Sequence, residues 1–188
     1  MTAATLIPSY IAGTWDIDPV HSDVSFSVRH MMVSKVRGRF GSFSGQIATG
    51  EEITGSSVTA TIDATSIDTN NEQRDNHIRS ADFFDVANHP TWTFASTALR
   101  VDDDELFLDG ELTIKGVTRP VIMKLEVEGF GPDAYGGTRA GFSASGEINR
   151  NDFGVSYNGP IPGGGGGVIV SEKVTITLEI EGVLDKPE

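Results

Sequence analysis

The sequence predicts an all-β protein, an antiparallel β-barrel of about eight strands with one short helix packed near the barrel mouth. Three observations lead there. Apolar and polar residues alternate with a period of two in one segment after another, the pattern of strands with one wet face. The connections between these segments are of hairpin length. Only the stretch between Ile67 and Pro90 breaks the pattern, so there is one helix to place and no repeated strand–helix–strand unit to build a parallel sheet. One closed barrel buries one apolar face per strand most economically; a two-sheet sandwich is the structural alternative.

The elements follow in order. Residues 1–12 read as a loose segment, 13–183 as a single domain and 184–188 as a tail. Thr14 to Ile17 forms a short strand carrying Trp15, and Asp18-Pro19 turns the chain because proline fixes φ and cannot donate to a ladder. Val24, Phe26 and Val28 then alternate with Ser25, Ser27 and Arg29, and His30 ends the apolar row. Lys35 to Phe43 is the hairpin partner, with Val36, Gly38 and Phe40 on its inner face and bends expected at Gly38, Gly41 and Gly45. Val58, Ala60, Ile62 and Ala64 mark a third strand. Thr69-Asn70-Asn71-Glu72 has the form of a capping box, which starts a helix running to about Ser80 with Arg74, His77 and Ile78 on one face. So short a helix must dock, and Phe83, Phe84 and Val86 are its anchors. Strands resume at Trp92 and Phe94, turn at the acidic cluster Val101–Glu105, and return through Leu106 to Ile114. A turn at Lys115-Gly116 leads into Val121 to Val127, a loop over Gly129–Gly137 into Phe142 to Ile148. The last strand, Val174 to Ile180, alternates most clearly. Between Arg150 and Val170 lie five consecutive glycines, either a plain hairpin connection or a flap at the barrel mouth with Phe153, Tyr157 and Ile161 as its apolar contacts.

Composition bounds the function. The chain has 188 residues, no cysteine and a formal charge of -13. A disulfide framework and a thiolate site are therefore excluded, and the charge opposes binding to nucleic acid and to anionic membrane surfaces. The segment before Pro8 has neither a basic leader nor an apolar run of signal-peptide length, and nowhere do about 18 apolar residues occur together, so no stable membrane insertion is expected and the location is read as cytoplasmic.

Five segments resemble a known family, the YceI-like (polyisoprenoid-binding) proteins: W-D-I-D-P-V-H-S-D-V-S-F-S-V-R-H-M (Trp15–Met31), V-R-G-R-F (Val36–Phe40), S-I-D-T-N-N-E-Q-R-D-N-H-I-R-S-A-D-F-F-D-V-A-N-H-P (Ser66–Pro90), G-E-L-T-I-K-G-V-T-R-P-V (Gly110–Val121) and I-N-R-N-D-F-G (Ile148–Gly154). The resemblance implies a lipocalin-like barrel whose elongated apolar pocket holds an isoprenoid chain, such as a quinone tail or polyprenyl lipid. No other cofactor is implied.

An eight-stranded barrel is just wide enough to be filled by its side chains or to hold one small ligand. The small inward residues Gly38, Ala60, Ala64, Ala144 and Gly146 favour a cavity. Its apolar lining is expected from Phe26, Val28, Met31, Phe40, Ile62, Ile78, Phe84, Trp92, Phe94, Met123, Phe142, Phe153 and Ile161, and the polar head-group contacts from His30, Arg74 and His77. His21 reads as a cap for local backbone groups and His89 as a turn residue. Four dispersed histidines with no chelating spacing give no metal site. Binding rather than catalysis is the reading; an acid–base enzyme pairing His30 or His77 with Asp75 or Asp82, or a stress-response scaffold without a ligand, are the alternatives. Exposed strand edges at the barrel ends would permit a homodimer.

Overall fold

The structure, a computed structural model, describes residues 7–31, 33–158 and 170–185. Its strands are β1 (Gly13–Ile17), β2 (Asp23–His30), β3 (Ser34–Phe40), β4 (Phe43–Thr49), β5 (Ser57–Asp63), β6 (Ile67–Asp68), β7 (Thr91–Asp102), β8 (Glu105–Ile114), β9 (Val117–Pro132), β10 (Thr138–Asn149) and β11 (Val170–Leu184). The helix α1 covers Glu72–Arg79. Eight strands close an antiparallel ring in the order β1-β4-β5-β7-β8-β9-β10-β11, and β11 returns to β1 through the pairs Trp15↔Leu184, Asp16↔Val183 and Ile17↔Gly182.

β11 is long enough to hold two strands end to end. Its last residues pair with β1, while Val170 to Glu179 pair with β2. β2 in turn carries β3, and β3 carries β6. The β2–β3 hairpin thus lies outside the closed ring and extends its wall, whereas sequence alternation alone makes it one wall strand like the others. A strand over Phe43–Thr49 was not anticipated. Only Gly41 and Ser42 separate it from β3, so β3 and β4 read as one continuous segment in sequence.

The tight turns have simple causes. Asp103 and Asp104 connect β7 to β8 with φ of 47° and 68°, and Lys115-Gly116 connect β8 to β9 with φ of 54° and 74°; two successive positive φ values match the twist of a two-residue hairpin. The helix starts two residues later than the capping box suggests. Asn71, not Thr69, is the N-cap, accepting from the Arg74 backbone N–H at 2.9 Å. Thr69 is diverted by a stronger partner: its N–H and hydroxyl both donate to the buried Asp75 carboxylate.

The chain near both ends of the domain is fastened. Tyr10 Oη donates to the Gly50 carbonyl at 2.7 Å, and Thr49 Oγ1 donates to Ile11 O while accepting from the Trp15 indole. Of the segment read as loose, residues 7–12 are therefore tied across one end of the barrel, because Thr49 there offers a buried hydroxyl to several backbone groups. Leu184 of β11 pairs with Trp15 of β1, and the Asp185 N–H donates to Thr14 O, so residues 184 and 185, read as tail, are held to the barrel.

Not every small inward residue leaves space. A Cβ on Gly38 would lie 2.5 Å from Phe26 Cζ, and one on Gly146 would lie 2.6 Å from Met123 Sδ. These two glycines make room for neighbouring side chains, and Ala64 is fully packed. Ala60 and Ala144 do face open space.

Candidate functional site

The barrel encloses a cavity of about 720 Å³. Its wall is built from alternate residues of almost every strand, including Phe94 of β7, Leu108 of β8, Met123 and Leu125 of β9, and Ile176, Leu178 and Ile180 of β11. Burial of one row per strand is what period-two alternation produces in a closed ring. The surface offered to a ligand is overwhelmingly hydrocarbon, with most of its polar side chains at the two ends.

The two ends differ. At one, buried Thr49 and Ile53 and partly buried Tyr10 and Ser56 close the cavity. At the other, the N-cap Asn71, Gln73 and His77 of α1, Arg29 of β2 and Tyr157 line the cavity and are also exposed, which makes this end the mouth. Phe83, His77 and Tyr157 form a ring cluster there, each centroid 5.1 Å from the next. Phe40, Phe84 and Trp92 pack edge or face against one another below it, at 4.7 to 6.3 Å. The Trp92 indole N–H is buried with no acceptor among the described residues.

Two arginines organise the mouth. Arg74 donates from Nε to Thr69 Oγ1 at 2.8 Å and from Nη2 to Thr69 O at 2.6 Å, which fixes its guanidinium at the cavity edge. Arg150 is only 5% exposed and donates to four backbone carbonyls, Ser171, Val155, Tyr157 and Val170. Burial pulls its pKa down. Through those carbonyls it ties the Val155–Tyr157 segment to the start of β11, which itself pairs with His30 of β2. Asn158 completes this tie by exchanging two hydrogen bonds with Val170.

Of the residues expected in the lining, Phe26, Val28, Phe40, Ile62, Ile78, Phe84, Trp92, Phe94, Met123 and Phe142 line the cavity, as do His30, Arg74 and His77 at its polar end. Met31 does not. It occupies the β2–β3 turn with φ of 51° and points to solvent, since the hairpin reverses one residue after His30. Phe153 is also outside the lining: the short turn after β10 buries it in the core cluster with Phe40, Ile67 and Val155. Ile161 and the five-glycine flap lie outside the described residues. Sequence reasoning missed Arg150, Tyr10 and Thr49, whose roles come from distant backbone partners. It also omitted Ile176, Leu178 and Ile180, which the clearest alternation in the chain should have placed there.

The acid–base alternatives separate as well. His77 Nε2 lies 2.9 Å from Asp82 Oδ2, but both side chains are about half exposed on the rim. Asp75 is consumed by Thr69, and His30 has no side-chain hydrogen bond among the described residues. His21 bonds a side chain rather than backbone: Asp18 Oδ2 is 2.7 Å away, and the same oxygen accepts from Arg139. Those contacts, that from His21 first, hold the Asp18 carboxyl well below the usual carboxylate range. Asp18, His21 and Glu181 could together face a cation. Arg139 already supplies one, bonding both carboxylates.

Comparison with known proteins agrees with this architecture. A model of the YceI-like domain matches residues 15–182. Protein YceI of Escherichia coli O157:H7 is 38% identical over 182 residues, covering 95% of this chain and 91% of that protein. Among solved structures, BcnA of Burkholderia cenocepacia superposes with a TM-score of 0.74 at 26% identity, covering 88% of this chain and 98% of that one. A polyisoprenoid binding domain from Saccharophagus degradans, implicated in plant cell wall breakdown, shares the fold with a TM-score of 0.68 at 17% identity over 93% of this chain and 100% of that one. Among the described residues no helix is long and apolar enough to cross a membrane.

Proposed function

The chain belongs to the YceI-like family, and from that premise we propose that its barrel binds an isoprenoid lipid, a polyprenyl chain or an isoprenoid quinone, and carries or stores it. The carrying observation is the apolar cavity of about 720 Å³, closed at one end and open beside α1. A flexible hydrocarbon tail needs no directional bonds, and each CH₂ withdrawn from water contributes about 0.8 kcal/mol, so a few five-carbon units outweigh the cost of association. The polyisoprenoid-binding neighbour supports the same ligand class. The tail lies along Phe26, Phe40, Phe94 and Met123, and the head group rests at the mouth near His30, Arg74 and His77. Among the described residues nothing at the mouth combines a nucleophile with a buried base, so the proposal is binding rather than catalysis.

Gentle organic extraction of the purified protein, followed by mass spectrometry, tests this. An isoprenoid at near-equal stoichiometry is the expected result. Recovery of a protein that carries none, and that takes up none when incubated with a quinone bearing a prenyl tail, would overturn it.

A further inference from the structure

Net charge hides a strong segregation in this chain. From Val24 to Gly50 there is no aspartate or glutamate, although the chain has 27 acidic residues, and the segment carries Arg29, Lys35, Arg37 and Arg39. All four project, exposed, from the β2–β3 hairpin. Arg29 sits directly opposite Lys35 in the ladder, an arrangement of like charges that costs stability. Among the described residues Arg29, Lys35 and Arg37 have no ion pair, and Arg39 has only a 3.9 Å contact with Asp68. In a protein with so many carboxylates, Arg29, Lys35 and Arg37 have none beside them among the described residues.

The hairpin tip adds a second feature. Val33 is 85% exposed and Met31 39%, at a turn flanked by those cations. Exposed apolar side chains beside unpaired cations suit the boundary between lipid head groups and acyl chains, where one part enters hydrocarbon and the other meets phosphate. The tip also adjoins the mouth: Arg29 and His30 immediately before it line the cavity.

We propose that the β2–β3 hairpin is a docking element for an anionic lipid bilayer, with Met31 and Val33 entering the interface and Arg29, Lys35 and Arg37 contacting phosphate head groups, so that the mouth faces the membrane. Its purpose, loading or unloading an apolar ligand, rests on the lipid-binding reading; the surface itself rests on charge and exposure. The overall charge of -13 opposes anionic surfaces only when averaged over the molecule, and within a Debye length of about 10 Å the hairpin's own field decides.

Co-sedimentation with vesicles of phosphatidylcholine alone, and of equimolar phosphatidylcholine and phosphatidylglycerol, is the test. The protein should bind the anionic vesicles, lose binding as salt rises, and ignore the neutral ones. Each cation near the surface is worth about fivefold in partitioning, so Arg29→Gln, Lys35→Gln and Arg37→Gln together should weaken it by about a hundredfold. Val33→Asp should weaken it with every cation retained. Circular dichroism on all of these variants, and the extraction assay on Val33→Asp, whose side chain is outside the cavity lining, should be unchanged, which separates loss of docking from loss of ligand binding. No binding to anionic vesicles, equal binding to both compositions, or wild-type partitioning of the triple variant would overturn the proposal. So would binding to a soluble polyanion that competes with vesicles and is indifferent to Val33→Asp, which would mark a polyanionic partner instead.

Discussion

Replacing Ala144 by phenylalanine should make the protein more stable and a poorer binder at once. Ala144 lies on β10 between Leu125 and Leu178, and all three face the cavity. A benzyl group there fills space that a ligand tail would otherwise occupy. In the empty protein it gains the burial of a phenylalanine side chain, about 1.5–3 kcal/mol when the strands accept it without strain. For the complex the sign reverses. A tail denied room for one five-carbon unit forfeits about 4 kcal/mol of transfer free energy, close to a thousandfold in Kd. Urea denaturation of the ligand-free variant and fluorescence titration with a prenylated quinone give the two numbers separately. Unchanged affinity for the quinone would refute the placement of the tail. A large loss of stability would refute the claim that β10 borders open space.

Three further perturbations probe the supports of the site. Arg150→Met removes a donor from four carbonyls, of which Val170 O keeps Asn158, and since an unsatisfied buried group costs about 1–3 kcal/mol, a loss of about 3 kcal/mol is expected in urea denaturation once water has reached some of them. Thr69→Val keeps the shape but removes the hydroxyl shared by Asp75 and Arg74; a loss of about 2 kcal/mol should appear in the denaturation midpoint, with retention of a bare hydrocarbon ligand unaffected. Asp18 has its pKa lowered by His21 and Arg139, so its contribution is complete above the ordinary value of 3.8 and is lost as pH falls through the lowered one. Thermal melts on acidification should therefore show Tm falling in strongly acid solution, and less steeply in Arg139→Met, which starts lower; parallel curves for the two proteins would assign the acid sensitivity elsewhere.

Much of this architecture was legible because period-two alternation survives in a barrel with a wet exterior. The row Val24, Phe26, Val28 and His30 reads directly as cavity wall, and so does Trp92 with Phe94. What alternation cannot show is which strands neighbour each other. It therefore placed β2 and β3 in the ring, although β11 is long enough to pair with β1 and β2 in succession, and it ran β3 into β4 across Gly41 and Ser42. Local rules failed where a distant or competing partner decided the outcome. Thr69 fits the capping pattern but Asp75 takes its hydroxyl, and Arg150 looks like a surface residue until four carbonyls converge on it. Gly38 reads as empty space until the Phe26 ring opposite is placed in it. Charge averaged over the whole chain was similarly blind to a segment, Val24 to Gly50, without a single acid.

Among the described residues three residue pairs seal the ring, joining the first strand of the barrel to the last. A seam of such sequence separation is the costliest contact the chain can make, because nearly the whole polypeptide must be organised before the two strands meet. On the ribosome β1 and β4 can pair early, but β11 emerges after every other wall strand, so the container is completed late. Under the proposed lipid-binding reading, an apolar chain that arrives after the seam has closed would have to enter through the mouth beside α1.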